Sequence, residues 1–350
     1  MPGGRVVKTD APLDGDPSEV AGLAVRAQRL GFAGAWAGET DHDALLAAAL
    51  AAQAAPDIEV GTRVAIAFAR SPMSLAICGN DLQMLSRGKF ILGLGSQVRA
   101  HIEGRYGVSW DRPVARMREL IAALRAIWTA WADGTPLDFR GEFFSLTRMN
   151  PGFRPRPHPY GQPLIGLAAM GPQMLRVAAE TADVLLVHSF MSERYLRQVM
   201  LPSFRSAAAG AGRDPAGLQV SLRVLLATGE DEEQRSAATR EVRQQIAFYA
   251  STPAYARVLE AHGWADLQPE LASLASQHRW TEMGDLVDDE MLRTFAVTGD
   301  PAEVGTEVRR RFGGCADRVV FRCPAPLTDD QWTAIIATVG EAGGAEAPPS

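Results

Sequence analysis

The chain has 350 residues, of which 47% are hydrophobic and 22% are charged, an ordinary globular composition. Its net charge of -6 gives no electrostatic reason to expect nucleic acid or an anionic membrane as a partner. The three cysteines, Cys78, Cys315 and Cys323, form no CxxC pair, which argues against a disulfide framework.

No apolar run approaches the roughly 20 residues that a membrane-spanning helix requires. The first residues, MPGGRVVKTD, lack the apolar core of a signal peptide. We therefore expect a cytoplasmic protein that does not bind a membrane.

The first clear helix is predicted at Pro17–Leu30. Asp16 is its predicted N-cap, and Pro17 suits the first helical position. Gly31 can end the helix in a left-handed conformation.

Along the rest of the chain, predicted strands alternate with predicted helices. Several strands are continuous apolar runs, as expected for parallel strands that are covered on both faces. The alternation predicts an α/β fold, a (β/α)8 TIM barrel with insertions after its strands, and an open doubly wound sheet is the alternative. The predicted strands are Val6–Thr9, Ala33–Ala37, Glu59–Ala67, Phe90–Leu94, Leu164–Ala168, Val184–Val187, Gln219–Ala227 and Arg318–Arg322.

Two segments are longer than a barrel needs. Residues 133–161 are predicted to form a loop with a short hairpin around Phe139–Ser145, and residues 252–298 add helices between strands seven and eight. Insertions of this kind commonly build substrate pockets. We expect residues 1–339 to form a single barrel domain, and residues 340–350, rich in Gly, Ala and Pro, to form a disordered tail.

Two histidines follow predicted strands at the end of a barrel where catalytic residues are found. His42 follows strand two between Asp41 and Asp43, and could be a proton donor, a cofactor ligand or an ordinary rim histidine. His188 follows strand six and could face a pocket or cap its strand. Because no second histidine stands at a suitable spacing, we expect no metal site.

Two glycine-containing loops also lie at this end. Gly93–Gln97 would let a flat ligand approach the backbone, although packing within the barrel explains glycines there equally well. Gly171-Pro172-Gln173-Met174 leads from strand five into a helix whose free amides could bind phosphate. On the local pattern alone, a simple turn is the favoured interpretation of this second loop.

Five segments occur in the order seen in luciferase-like flavin and deazaflavin oxidoreductases. The chain resembles this superfamily, and within it the branch that uses coenzyme F420. The segments are AGLAVRAQRLGFAGAWAGETDHD, EVGTRVAIAFARSPMSLA, LSRGKFILGLGSQ, GLAAMGPQMLRVAAETADVLLVH and VTGDPAEVGTEVRRRF.

The resemblance implies hydride transfer between the deazaflavin F420 and a small organic substrate, in a homodimer. It implies that His42 is catalytic and that a non-prolyl cis peptide at Arg63–Val64 supports the ring. It makes Gln97 and His188 candidates for the substrate pocket. The cofactor contacts that it implies are Asp41, His42, Arg63, Val64, Gly95, Ser96, Ala169, Met170, Gly171, Gln173 and Met174.

The sequence departs from the sugar-phosphate dehydrogenases of this superfamily. They carry a glutamate after the strand-four glycines and a tryptophan shortly after the strand-two histidine. Here those neighbourhoods read Ser96-Gln97-Val98 and Leu45-Leu46, so we expect a substrate other than glucose 6-phosphate. An FMN-dependent monooxygenase is the alternative enzyme, and a non-catalytic flavin- or deazaflavin-binding barrel is the alternative of another class.

Overall fold

Eight parallel strands close into a barrel in the computed structural model, which describes residues 6–341. The last strand pairs with the first and with β7, so that the eight barrel strands form a closed ring, and the predicted (β/α)8 barrel is confirmed over the open sheet. The barrel strands are β1 (Lys8–Pro12), β2 (Gly34–Ala37), β3 (Glu59–Thr62), β4 (Phe90–Gly95), β5 (Leu164–Ala168), β6 (Val184–Val187), β7 (Gln219–Ala227) and β8 (Arg318–Arg322).

Two strand predictions were wrong in their bounds by more than one residue. The first strand lies two or three residues later than predicted, because its pairing partners on β2 and β8 fix its register. The third ends at Thr62, and the chain resumes as a two-residue strand, Ala65–Ile66, that pairs with the end of β4.

Helices form the outer layer of the barrel. The first begins at Val20 and not at the predicted Pro17, and it ends at Gly31 in the predicted left-handed conformation, with φ 89°. Helices that follow β1 to β6 are Val20–Leu30, Ala44–Ala54, Pro72–Leu85, Arg99–Gly104, Pro113–Asp133, Pro172–Thr181, Glu193–Tyr195 and Leu201–Gly210. A π-helical turn, Leu196–Met200, joins the last two of these helices. Helices that follow β7 and β8 are Glu232–Ala250, Ala256–Glu260, Leu267–Ser276, Trp280–Asp285, Asp289–Phe295, Pro301–Phe312 and Asp329–Gly340.

The two insertions take different forms. Residues 133–161 contain the predicted hairpin, in which Phe139–Arg140 pairs with Ser145–Leu146. The later insertion contains a strand that was not predicted, Ala296–Thr298, which pairs with the C-terminal end of β7. Three residues are too few for a periodic signal, so only the pairing reveals this strand.

The predicted tail falls mostly outside the described residues. Gly340 is the last residue of the helix Asp329–Gly340, and residues 342–350 are not described. Within residues 6–341, no helix combines the length and the apolar character needed to cross a membrane.

The barrel interior changes character from one end to the other. At the N-terminal end Arg318 is buried and makes a two-pronged ion pair with Asp10, at 2.7 and 2.8 Å, and a further pair with Glu59. An added Cβ at Gly34 would lie 2.8 Å from the Arg318 guanidinium and 2.8 Å from the Asp10 carboxylate, so a larger residue there would displace this ion pair. Above this network lies a small apolar cluster of interior side chains: Trp36, Ile91, Val184, Leu186 and Val320.

Two glycines of β4 bring β3 unusually close. A Cβ on Gly93 would lie 1.8 Å from the carbonyl oxygen of Thr62, and the Thr62 hydroxyl donates to the Gly93 carbonyl at 2.7 Å. A Cβ on Gly95 would lie 2.5 Å from the Val64 side chain. The glycines noted in this loop therefore serve the packing of the barrel, and they bring Val64 to its mouth.

This contact predicts unequal effects of alanine at the two glycines. We expect Gly93→Ala to lower the free energy of unfolding by more than about 3 kcal/mol, since a backbone oxygen must move, and Gly95→Ala to lower it by about 1–3 kcal/mol. Denaturant unfolding followed by circular dichroism measures both.

The matched control is Gly22→Ala, because Gly22 is an exposed helical residue whose added Cβ meets nothing within 4 Å. It should raise the free energy of unfolding by about 0.5–1 kcal/mol. A Gly93→Ala protein as stable as this control would contradict the packing argument.

Candidate functional site

The C-terminal ends of the barrel strands carry two separate groups of polar side chains. We call Asp16, Asp41 and His42 the rim cluster, and Arg63, His188 and Arg223 the central cluster. Within residues 6–341, no hydrogen bond or ion pair joins one cluster to the other.

Arg63 extends across the mouth from the end of β3 to β6 and β7. Its guanidinium donates to the Ser221 hydroxyl at 2.9 Å, to the Ser221 carbonyl at 3.1 Å and to the Val187 carbonyl at 2.5 Å. Burial, and after it the neighbouring Arg223, lowers the pKa of Arg63 to about 9. The Arg63–Val64 peptide bond is cis, as the family resemblance predicted.

His188 is a neutral imidazole enclosed by two tyrosines. Its Nδ1 accepts the backbone N–H of Phe190 at 3.1 Å, so the ring proton is carried on Nε2. The ring stacks on Tyr255 at 4.7 Å and meets Tyr249 edge-on at 4.5 Å. Burial, together with the positive charges of Arg63 and Arg223, lowers the pKa of His188 to about 3.

Arg223 projects from β7 into the same region. Its Nη2 donates to Asp14 at 3.1 Å, while its Nε is buried without a hydrogen-bond partner. Arg223, Tyr249 and Tyr255 were not among the predicted site residues. The available signal was the arginine within the apolar strand QVSLRVLLA, since a charged side chain is rarely placed in an apolar interior without a structural or functional role.

His42 lies at the rim. Its Nε2 is 3.0 Å from Asp16 Oδ1 and 3.7 Å from Asp41 Oδ2, and its side chain is 37% exposed. Asp41 accepts a hydrogen bond from the Thr40 hydroxyl at 2.6 Å, which lowers the pKa of its carboxyl group. His42 therefore lies in an acidic, solvent-facing setting, unlike His188.

A buried carboxylate holds the loops after β2 and β3 together. Glu39 accepts the Ile66 backbone N–H at 2.8 Å and pairs with Arg70 at 2.7 Å, and Arg70 also pairs with Asp43 at 2.6 Å. These contacts fix the loop after β2, which carries Asp41 and His42. They also make Arg70 an anchor of its own loop.

Gln97 and Ser96, after β4, use their side chains within their own turn. The Gln97 side-chain oxygen accepts the Val98 N–H at 3.0 Å, and the Ser96 hydroxyl donates to the Gln97 carbonyl at 3.1 Å. Gln97 adopts a left-handed conformation with φ 59°, which is uncommon for a residue other than glycine. This turn leaves the partly exposed Ser96 and Gln97 at the mouth.

The loop after β5 begins the helix Pro172–Thr181 without a side-chain cap. The amides at the start of such a helix, here those of Gln173 and Met174, have no partner within the helix. A Cβ on Gly171 would meet nothing within 4 Å, so there is open space before these amides. Ala169 is buried and Met170 is partly buried just before them.

The part of the chain that the structure describes contains no group of three or more His, Cys, Asp or Glu side chains arranged to hold a metal ion. Its candidate chemistry therefore rests on hydrogen-bond donors, two histidines and helix amides.

The low pKa of His188 predicts a pH dependence of stability. Unfolded chains protonate this histidine below its ordinary pKa of 6.5, whereas the folded protein keeps it neutral down to about pH 3, so stability falls as the pH falls below 6.5. Between pH 7.5 and pH 5, the free energy of unfolding of the wild type should fall by about 2 kcal/mol more than that of His188→Gln. Urea unfolding at both pH values measures this difference, and equal losses in the two proteins would contradict it.

Comparison with known proteins relates this geometry to a family. The family model described as luciferase-like monooxygenase matches residues 4–318. An uncharacterized protein of Mycobacterium tuberculosis is 47% identical over 320 residues, covering 91% of this chain and 94% of that protein.

Two solved structures share the fold. The coenzyme F420 dependent tetrahydromethanopterin reductase from Methanopyrus kandleri has a TM-score of 0.78 and 20% identity, and covers 95% of this chain and 97% of its own. A type II Baeyer-Villiger monooxygenase of Pseudomonas putida, in complex with FMN, has a TM-score of 0.67 and 15% identity. The match covers 96% of this chain and 97% of that protein. Because the family match spans most of its length, this chain belongs to the luciferase-like monooxygenase family.

Proposed function

We propose that the protein is an F420-dependent oxidoreductase that transfers hydride between the deazaflavin and a small organic substrate. The observation that carries the proposal is the uncapped helix start after β5, where open space at Gly171 meets the amides of Gln173 and Met174. An anionic cofactor tail fits there, because both the amides and the helix dipole favour negative charge.

The residues at the mouth fit a flat ring beside this anion site. Val64, which packs against Gly95, offers an apolar surface, and Ser96 offers a hydroxyl group nearby in the chain. A bound deazaflavin would supply hydride transfer, which requires positioning and exclusion of water more than a strong nucleophile.

Two histidines at the barrel mouth can donate a hydrogen bond or transfer a proton in this reaction. His188 presents an Nε2–H from a partly buried, neutral ring, and this donor can orient an oxygen atom of the substrate. His42, beside Asp16 and Asp41, can exchange protons with solvent at the rim.

Similarity favours F420 over FMN. The F420-dependent reductase has the higher TM-score, 0.78 against 0.67 for the FMN complex, and the five sequence segments resemble the F420 branch. The FMN-dependent monooxygenase remains the second candidate, because monooxygenase chemistry gives the family its description.

The cofactor is tested by calorimetric titration of the purified full chain with F420 and with FMN. We expect F420 to bind at least about tenfold more tightly than FMN, a difference of about 1.4 kcal/mol. Tighter binding of FMN would favour the monooxygenase, and uptake of neither would overturn the redox assignment. Binding without turnover across a broad substrate panel would favour a non-catalytic barrel.

The anion site is tested by Gly171→Leu. Its added side chain enters open space, so the free energy of unfolding should change by less than about 0.5 kcal/mol. Its bulk in front of the helix amides should weaken F420 binding by at least about tenfold.

The matched control for this variant is Gly217→Leu. Gly217 also has nothing within 4 Å of an added Cβ, but it precedes β7 at the opposite end of the barrel. F420 should bind this protein as it binds the wild type. Equal effects of the two substitutions would remove the Gly171 loop from the cofactor site.

For His42 we predict a catalytic and not a binding effect. His42→Ala should lower the oxidation rate of reduced F420 by carbonyl substrates by about 10²-fold, while the F420 dissociation constant changes by less than about threefold. The control is His158→Ala, because His158 bonds Asn80 away from the mouth. A normal rate in His42→Ala would remove this residue from the mechanism.

A further inference from the structure

We propose that the substrate carries a carboxylate group, and that Arg63 and Arg223 bind this group beside His188 at the barrel mouth. The inference rests on the proposed function, since it assigns the substrate class of the same site.

The first argument is the position of the two arginines. Ser221 and Arg223 are two residues apart on β7, so their side chains share one face of the strand. Arg63 bonds to the side chain and the backbone of Ser221, and the backbone of Arg223 lies one pleat repeat, ~7 Å, farther along the strand. The lowered pKa of Arg63 reflects this proximity as well as burial.

The second argument is the shortage of negative charge around these arginines. Within residues 6–341, no carboxylate lies within 4 Å of Arg63, which donates only to uncharged oxygens. Among the described residues, Arg223 forms an ion pair only with Asp14, whose side chain is 50% exposed and also lies 3.9 Å from Arg322. The negative charge of Asp10 also acts on Arg63, but Asp10 is already paired with Arg318 at 2.7 Å.

The third argument is that donors remain free. Arg63 makes three hydrogen bonds with a group that carries five N–H donors, and the buried Nε of Arg223 makes none. His188 adds its Nε2–H, because Nδ1 is occupied by the Phe190 amide. A buried donor without an acceptor is costly, so a ligand that supplies acceptors relieves this cost.

These donors define the chemistry of the ligand. Guanidinium groups bind planar carboxylates through paired hydrogen bonds, and a carboxylate accepts without donating. Next to His188 lie Tyr249 and Tyr255, which suit an apolar or aromatic body. A small organic acid with such a body satisfies both parts of the site.

The experiment measures binding of matched acids and amides to the full chain without cofactor, by fluorine NMR. The probes are 4-fluorobenzoate and 4-fluorobenzamide, which share size and shape but differ in charge. We expect the acid to bind at least tenfold more tightly than the amide. Arg223→Gln should weaken acid binding at least tenfold and amide binding less than threefold.

The control variant is Arg140→Gln, because Arg140 is an exposed arginine of the hairpin in the first insertion and its side chain is 70% exposed. It should bind the acid as the wild type does. Arg63→Gln tests the second arginine, and circular dichroism checks that this variant is folded. If Arg63→Gln does not fold, the result for Arg223→Gln alone decides the proposal. Equal affinities for acid and amide, or undiminished acid binding in Arg223→Gln, would overturn the proposal.

A competition experiment with F420 shows whether the two arginines bind an anionic group of the substrate or one of the cofactor. Saturating F420 should leave 4-fluorobenzoate bound, and displacement of the acid would show that the arginines bind the cofactor, which overturns the proposal. Acid binding that depends on Arg223 in a protein that takes up neither F420 nor FMN would instead overturn the proposed function, leaving an anion site without a redox role.

Discussion

The close approach of β3 to β4 is the contact on which the candidate site depends. Without side chains at Gly93 and Gly95, the Thr62 carbonyl and the Val64 side chain occupy space that a Cβ would otherwise fill. The chain then leaves β3 at Thr62 and carries Arg63 toward the opposite wall of the barrel, where it bonds to Ser221. One packing contact thus sets both an apolar surface and a cation at the mouth.

Charge is arranged differently at the two ends of the barrel. At the N-terminal end, Arg318 is matched by Asp10 and Glu59, and the carboxylates keep its pKa above the ordinary value although burial opposes this. At the mouth, Arg63 has no such partner among the described residues, and Arg223 has a half-exposed one. A buried arginine that is paired with carboxylates contributes to the fold, whereas an arginine without such a partner is typical of a binding site.

The two histidines at the mouth differ because their surroundings differ. His42 faces carboxylates and solvent, whereas His188 is held neutral by burial and by two arginines. The tyrosines that enclose His188 belong to the long helix after β7 and to the insertion that follows it. The later insertion therefore adds a wall to the site, as insertions at barrel rims commonly do.

The sequence by itself determined the order of the barrel strands and most of their helices, because apolar runs and helix stop signals are local. It also placed Gly171 in the loop between β5 and its helix, and the resemblance to a family made that loop the phosphate-site candidate. The resemblance to a family located the cis peptide after Arg63. Only the tertiary structure decided that Arg63 meets Ser221, 158 residues away, and that Tyr255 stacks on His188. Such contacts form only when β8 pairs with β1 and closes the barrel. Closure places the C-terminal ends of strands that are distant in the sequence around one opening. No local sequence pattern specifies which side chains then face each other.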